Sequence, residues 1–347
     1  MTPTIDAILA DPLAPARGAA RAVGYVGFDV PIDLLLAPPI HAVHLPWRAA
    51  ASFPNAGRWL ESGFPDWSRA ILEDWTAGRF DFLDKVIFTR GDDAAQRLYY
   101  YICELQRRGD IGGPEPLIFD IARIGRETSV GRTVRSVRRL ADRIGLSEDD
   151  LRAGIARANA RRARFAQWEA AREGDGAAYA RIARASLYAP VDELLGDGVK
   201  PRPAGKGGVL LAGSVPPDET LHEAVEAAGW SVTGEANDLS LMRHGPAVPT
   251  DGDPAEAIGR QAQALPLGAR SFANRGPIVV EAARRARAGA VILWYVEEDE
   301  AQVWQIPAQV EELAAAGIPT LVLTRRKWSG GDDTVARIQD FLKEQSR

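Results

Sequence analysis

With 347 residues, of which 46% are apolar and 26% charged, the chain has the make-up of an ordinary globular protein, which excludes wholesale disorder, and its length calls for two α/β domains. A formal net charge of -5 argues against nucleic acid or an anionic membrane as its general partner. No window is apolar for long enough to span a bilayer, and Met1-Thr2-Pro3-Thr4-Ile5-Asp6 lacks the basic flank and apolar core of a leader, so a cytoplasmic chain is expected.

From Gly24 to Pro46 the sequence predicts a glycine-bearing loop, a short helix opened by Pro31, and a short strand ending at Pro46. A helix is expected over Trp67 to Ala77. The apolar run Lys85 to Thr89 is a strand, Arg90-Gly91-Asp92-Asp93 a polar turn, and Ala94 to Arg107 a helix. Pro116 to Asp120 supplies another buried strand, so the first half consists of β-α-β units on a parallel sheet. Ligands of such sheets sit beyond the carboxyl ends of the strands, which directs attention to the turn after Thr89.

Between Arg126 and Arg172 the pattern is helical and basic, with Ser147 and Asp150 spaced as a capping box between two helices. The arm carries acids among its arginines and few aromatic rings for stacking on bases, so a partner subunit or solvent suits it better than nucleic acid. Lys200 to Gly208, with two prolines and three glycines, marks the best boundary. The resulting division is a first α/β domain over 1–125, a helical connecting segment over 126–199 and a second α/β domain over 200–347.

In the second half, Val209 to Ala212 is a strand, Gly213 to Pro217 a turn, Glu219 to Ala228 a helix stopped by Gly229, and Trp230 to Thr233 a strand parallel to the first. Strands at Ala290 to Tyr295 and Thr320 to Thr324 flank a helix over Val303 to Ala316, and Thr334 to Gln345 closes the chain as a helix. The two halves have the same architecture.

Cys103 is the only cysteine, so neither an internal disulfide nor an all-cysteine metal site can form, and in the middle of an apolar helix it is a small buried hydrophobe. His41 and His44, three apart, point differently and make no metal pair; no His-Glu-x-x-His spacing occurs. A full Gly-x-Gly-x-x-Gly fingerprint and a Walker lysine are also missing, so a nucleotide cofactor has no support.

Several pieces line up in order with one family. They are Gly24-Tyr25 through Val30-Pro31, the strand and turn from Lys85 to Asp93, and Leu151, Asn159 and Arg162 on the connecting helices. Leu211-Ala212-Gly213-Ser214, Asp253-Pro254, Ala290-Val291-Ile292 before an acidic loop, and Gly317-Ile318-Pro319 leading to Arg337 through Glu344 complete the series. The chain thereby resembles the D-component family of 2-hydroxyacyl-CoA dehydratases, which also contains benzoyl-CoA reductase subunits. The resemblance implies two flavodoxin-like or Rossmann-like parallel-sheet domains facing across a cleft, joined by a helical segment. It implies a heteromeric complex in which a thiolate-bound iron-sulfur cluster passes one electron, supplied by an ATP-driven activator, to the thioester carbonyl of a CoA substrate. The hard chemistry then belongs to the cofactor.

The cysteines that would hold that cluster are replaced. The corresponding places are Gly27, then Gly91 or Asp92, then the stretch Val296 to Asp299. Iron-sulfur clusters need soft thiolates, so the chain has no cofactor bound by its own cysteines and any [4Fe-4S] cluster is confined to a partner, a cysteine-bearing paralogue. Asp92, Glu297 and Asp299 bring carboxylates to strand ends and are the candidate catalytic groups for acid-base or hard-metal work, against a plain role as solvated loop acids and helix caps. Gly27, Gly91, Ser214 and Arg337 are the candidate binding positions, Ser214 because a strand-to-helix turn can present N–H and hydroxyl groups to a phosphate or substrate oxygen. Trp294 and Trp304 are expected to fill space near the acidic loop.

Three readings follow. The chain is a subunit of a dehydratase- or reductase-like complex acting on a CoA thioester without its own cluster, a cluster-free CoA-thioester lyase or hydratase using carboxylates, or a non-catalytic binding or scaffold subunit.

Overall fold

A computed structural model describes residues 4–47, 52–171, 176–190, 207–268 and 273–346. Contacts divide the chain into two compact units. Unit 1 comprises Met1–Ala166, Ala185–Asp192 and Leu241–Phe272, and unit 2 comprises Gln167–Arg184, Glu193–Ser240 and Ala273–Arg347. The helices expected as a connecting segment are thus shared between the units, and of the expected boundary, residues 200–206 lie outside the described residues.

Unit 1 is built on β1 (Ala22–Val26), β2 (His41–His44), β3 (Lys85–Thr89) and β4 (Glu115–Phe119). They form one parallel sheet in the order β2-β1-β3-β4. The central strands β1 and β3 are short apolar runs because helices cover both faces: every residue of β1 is buried, as are Val86, Ile87 and Phe88 of β3. The helix Asp93–Arg108 follows β3 and ends at Gly109, whose φ of 75° is the left-handed C-cap that glycine adopts without strain. Ser147 and Asp150 form the expected capping box, Ser147 N–H donating to Asp150 Oδ2 at 2.9 Å and Asp150 N–H to Ser147 Oγ at 3.2 Å, at the head of the helix Glu148–Ala171.

Asn159 and Arg162 on that helix are clamps within unit 1. Arg162 grips the buried Asp33 carboxylate with two parallel bonds of 3.0 and 2.7 Å, and Asn159 exchanges two bonds with the Val248 backbone at 2.8 and 2.9 Å. Gly154 lets the helix approach closely, since a Cβ there would lie 2.2 Å from the Asp33 carbonyl oxygen.

Unit 2 repeats the plan with β5 (Gly208–Gly213), β6 (Ser231–Ala236), β7 (Ala288–Val296) and β8 (Thr320–Arg326) in the order β6-β5-β7-β8, all parallel. Val209, Leu211, Ile292 and Trp294 face one helical layer, and Leu210, Val291, Leu293 and Tyr295 the other. Trp294 is buried in the core as expected, but Trp304 is 85% exposed and fills no space. The helix expected over Val303 to Ala316 runs Ile306–Ala315, and Trp304 is the C-cap of a short helix ahead of it, Glu300–Val303, at the break before Pro307, which suits only a first turn. Among the described residues no helix is long and apolar enough to cross a membrane.

Candidate functional site

In a sheet of order 2-1-3-4 the chain leaves the first strand toward one side and the third toward the other, and the loops diverge to open a crevice at their carboxyl ends. In unit 1 that crevice belongs to β1 and β3, in unit 2 to β5 and β7.

In unit 1, β1 exits through Gly27 with a φ of 94°, a left-handed conformation that glycine tolerates. A Cβ at Gly27 would lie 2.0 Å from Thr89 Cγ2, and one at Gly91 would lie 2.0 Å from Asp29 Oδ2. Both strand ends are therefore filled. The Thr89 hydroxyl donates to the Asp29 carboxylate and accepts the Gly91 N–H at 2.9 Å. Arg123 donates to Asp29 Oδ2 at 2.9 Å and to the Leu265 carbonyl at 2.9 Å, forming a buried ion pair whose two side chains are almost wholly withdrawn from water. Gly268 rests against Gly91, where its own Cβ would lie 3.0 Å from the Gly91 oxygen. Asp92 is the N-cap of the following helix and accepts the Ala95 N–H at 2.7 Å, a role its carboxylate fills at a helix start.

At the end of β2, His44 is buried in an aromatic box. Its ring stacks on Phe28 with centroids 5.3 Å apart and meets Tyr25 and Trp47 edge-on at 5.0 and 4.9 Å. Burial drives its pKa down to about 3, so the imidazole is neutral near neutral pH. His41 instead faces the Tyr188 carbonyl at 3.2 Å, so the two histidines do point differently.

In unit 2, β5 exits through Gly213 with a φ of 111°, where a Cβ would lie 2.2 Å from the Trp294 backbone oxygen. Ser214 follows, buried, with its N–H donated to that same oxygen at 2.9 Å. Its hydroxyl donates to Asp299 Oδ2 at 2.7 Å and accepts the Val296 N–H at 3.2 Å. Gln302 donates through Nε2 to Asp299 Oδ2 at 3.0 Å. Arg275 is buried nearby: burial works against its charge, but the Asp238 carboxylate at 3.0 Å outweighs this and raises its pKa, with Asp299 adding to the effect. Burial likewise raises the pKa of Tyr295, whose hydroxyl accepts a bond from Gln309 Nε2 at 2.8 Å.

The structure thus joins Gly27 to Gly91 through Thr89 and Asp29, and Ser214 to Asp299 directly. Glu297 is exposed, its N–H donated to the Arg326 carbonyl at 3.0 Å. Arg337 is exposed on the helix Thr334–Gln345 and forms no ion pair among the described residues. Both donors of Ser214 are engaged inside unit 2, so they do not face a phosphate as the turn suggested. Asp29, Thr89, Arg123 and Gln302 are the site residues the sequence does not announce. Asp29 alone had a signal, lying two residues after Gly27.

For an iron-sulfur cluster the residues present do not fit. Cys103 lies on the helix Asp93–Arg108, half-buried, with burial raising its thiol pKa, and at Gly27 and Gly91 the Thr89 and Asp29 side chains occupy the place of a Cβ. Among the described residues no group of three or more His, Cys, Asp or Glu side chains is placed to hold a metal ion.

Two parallel sheets of flavodoxin-like order, each with polar groups at its switch point, define the class: a two-unit α/β protein. The model of the 2-hydroxyglutaryl-CoA dehydratase D-component family matches residues 28–343, and the chain belongs to that family. No curated protein sequence matches it. Among solved structures, the SBP FpvC of P. aeruginosa in complex with a Ni2+ ion matches at 11% identity, covering 94% of this chain and 96% of its own, with a TM-score of 0.25; a likeness that slight carries no argument.

Proposed function

We propose that this chain is the cluster-free subunit of a heteromeric 2-hydroxyacyl-CoA dehydratase or benzoyl-CoA reductase-like complex, acting in the cytoplasm on a CoA thioester beside a cysteine-bearing paralogue. Family membership supports the dehydratase-like system and a partner within it. One observation carries the cluster-free reading. At Gly27 and Gly91 the Thr89 and Asp29 side chains stand 2.0 Å from where a Cβ would be placed, so a thiolate at either position requires those side chains to move. An asymmetric pair keeps its redox chemistry when one partner retains the thiolates.

The test is anaerobic co-expression with a cysteine-bearing paralogue, followed by iron, sulfide and visible-absorption analysis of the complex and of each chain alone. All iron and sulfide are expected with the paralogue, and the two chains are expected to co-purify. Iron and sulfide bound by this chain alone, or no association with any such paralogue, would reject the reading.

Ser214 and Asp299, 2.7 Å apart at the switch point of unit 2, favour one alternative, a cluster-free CoA-thioester lyase with Asp299 as its acid-base group. Turnover of a 2-hydroxyacyl-CoA by the purified chain without partner or reductant, lost in Asp299→Asn, distinguishes it.

A further inference from the structure

The two sheets end in β2, β4, β6 and β8, and an edge strand turns alternate N–H and C=O groups outward, where they invite another strand unless something blunts them. In β2 the outward N–H of His44 is donated to the Leu187 carbonyl at 2.9 Å. In β4 the bond from Arg90 N–H to Phe119 O turns Phe119 inward, so Pro116 is an outward position and has no N–H to offer. In β6 the start of the helix Gly176–Ala185 lies against the backbone of Val232, whose oxygen is 2.8 Å from where a Gly176 Cβ would be placed.

β8 has no such protection. The Val291 N–H is donated to Pro319 O at 2.9 Å, so Thr320, Val322 and Thr324 turn outward, and their N–H groups meet no acceptor among the described residues. The Thr324 carbonyl accepts Arg326 Nε at 2.8 Å and keeps a second lone pair. No charge or proline interrupts Thr320 to Thr324, and all but Leu323 are only half-buried. Pro319 closes this stretch at one end, and Arg325, with a left-handed φ of 52°, turns the chain at the other.

The open stretch reads Thr-Leu-Val-Leu-Thr in both directions. A two-fold axis at Val322 therefore sets a second, antiparallel β8 with valine opposite valine, Leu321 opposite Leu323 and Thr320 opposite Thr324. Each outward N–H then finds an outward carbonyl, and valine and threonine cross-strand pairs are favourable. Both apolar layers continue across the axis, Leu321 and Leu323 in one and Val322 in the other. Charge agrees. Arg325 and Lys327, exposed and without an ion pair among the described residues, come to lie beside the other copy's Gly317 to Pro319, at the negative end of the helix Ile306–Ala315, and not beside each other. We infer that β8 is the interface of a homodimer, a second copy of this chain pairing with it antiparallel about Val322 to join the unit 2 sheets of the two copies.

The test is sedimentation of the full chain over a dilution series, wild type against Val322→Pro, alone and with a cysteine-bearing paralogue. Proline at 322 removes an outward N–H and leaves the bonds to β7 in place. The expected result is a monomer–dimer equilibrium whose dissociation constant rises at least about tenfold in the variant. Residue-resolved amide exchange of the wild type is expected to show Thr320, Val322 and Thr324 losing protection on dilution while Leu321 and Leu323, which face β7, keep theirs. That measurement decides the matter if Val322→Pro fails to fold. A monomer at every dilution, a dimer that Val322→Pro does not weaken, or outward amides indifferent to dilution would overturn the inference. So would a chain that is monomeric alone and loses only its paralogue in Val322→Pro, since the edge would then serve that partner.

Discussion

β1 and β5 leave their sheets in the same way, through glycines with φ of 94° and 111°, and the chain then does opposite things. After Gly27 the crevice of unit 1 is packed shut by Asp29, Thr89 and Arg123, a charge pair buried with its hydrogen bonds made. After Gly213 the crevice of unit 2 holds Ser214, Asp299 and Gln302, linked to one another but with a buried acceptor left over. The same topology thus yields a closed, ion-paired set after β1 in one unit and a polar set with an unsatisfied acceptor after β5 in the other. A strand-end position predicted by fold alone is therefore not yet a site; the satisfaction of its polar groups decides.

The comparison is broken most directly by removing one member of each polar set. Arg123→Met leaves the Asp29 carboxylate buried without its ion pair and is expected to lower stability by about 3–5 kcal/mol. Arg162→Met does the same to Asp33. Ser214→Ala in unit 2 removes the two hydrogen bonds of its hydroxyl, to Asp299 and from the Val296 N–H, and is expected to cost about 1–2 kcal/mol. Urea unfolding of the three variants measures the contrast, and equal losses in both units would remove the distinction between the two sets.

Restoring the family's thiolates sharpens it. Gly27→Cys puts a side chain on a backbone at φ 94° with its Cβ 2.0 Å from Thr89 Cγ2, so strain and overpacking together are expected to cost about 2–4 kcal/mol. The double variant Gly27→Cys, Gly91→Cys is expected to take up no iron or sulfide on anaerobic reconstitution; uptake would show that the crevice of unit 1 opens readily.

Acid tests the sealed unit again through His44. Its folded pKa, about 3, lies below the ordinary 6.5, so between those values the unfolded chain binds a proton that the folded chain refuses. Its contribution to stability is complete above pH 6.5 and falls as pH drops, by roughly 1.4 kcal/mol per unit or about 2 kcal/mol by pH 5. His44→Phe keeps a ring in the box and is expected to flatten the unfolding profile between pH 6.5 and pH 4 relative to the parent.

What was legible in the sequence follows the range of the interactions. The strands Lys85–Thr89 and Thr320–Arg326 and the helix Thr334–Gln345 appear because local apolar runs and caps define them. The helix Arg275–Arg285 is not among the expected elements, although Pro277 falls in its first turn, where proline does no harm. Asp29 and Arg123 are 94 positions apart, and nothing local in either announces the other. Ser214 and Asp299 were both candidates, but their direct bond across 85 positions emerged only from β5 lying beside β7.

The smallest effect concerns the acid that looked most chemical in the sequence. Asp92 accepts the Ala95 N–H as a helix N-cap, and asparagine fills that place almost as well, so Asp92→Asn is expected to change stability by only a few tenths of a kcal/mol and Asp92→Ala to cost about 1 kcal/mol. A cap and a base are separated by what the conservative variant does to turnover. Asparagine preserves the hydrogen bond and removes the titrating group, so any activity of the complex toward a CoA thioester is expected to survive Asp92→Asn unchanged and to keep its pH profile. A loss of turnover in Asp92→Asn at undiminished stability would make Asp92 a proton-transfer group and give unit 1 a chemical role that its sealed crevice otherwise denies it.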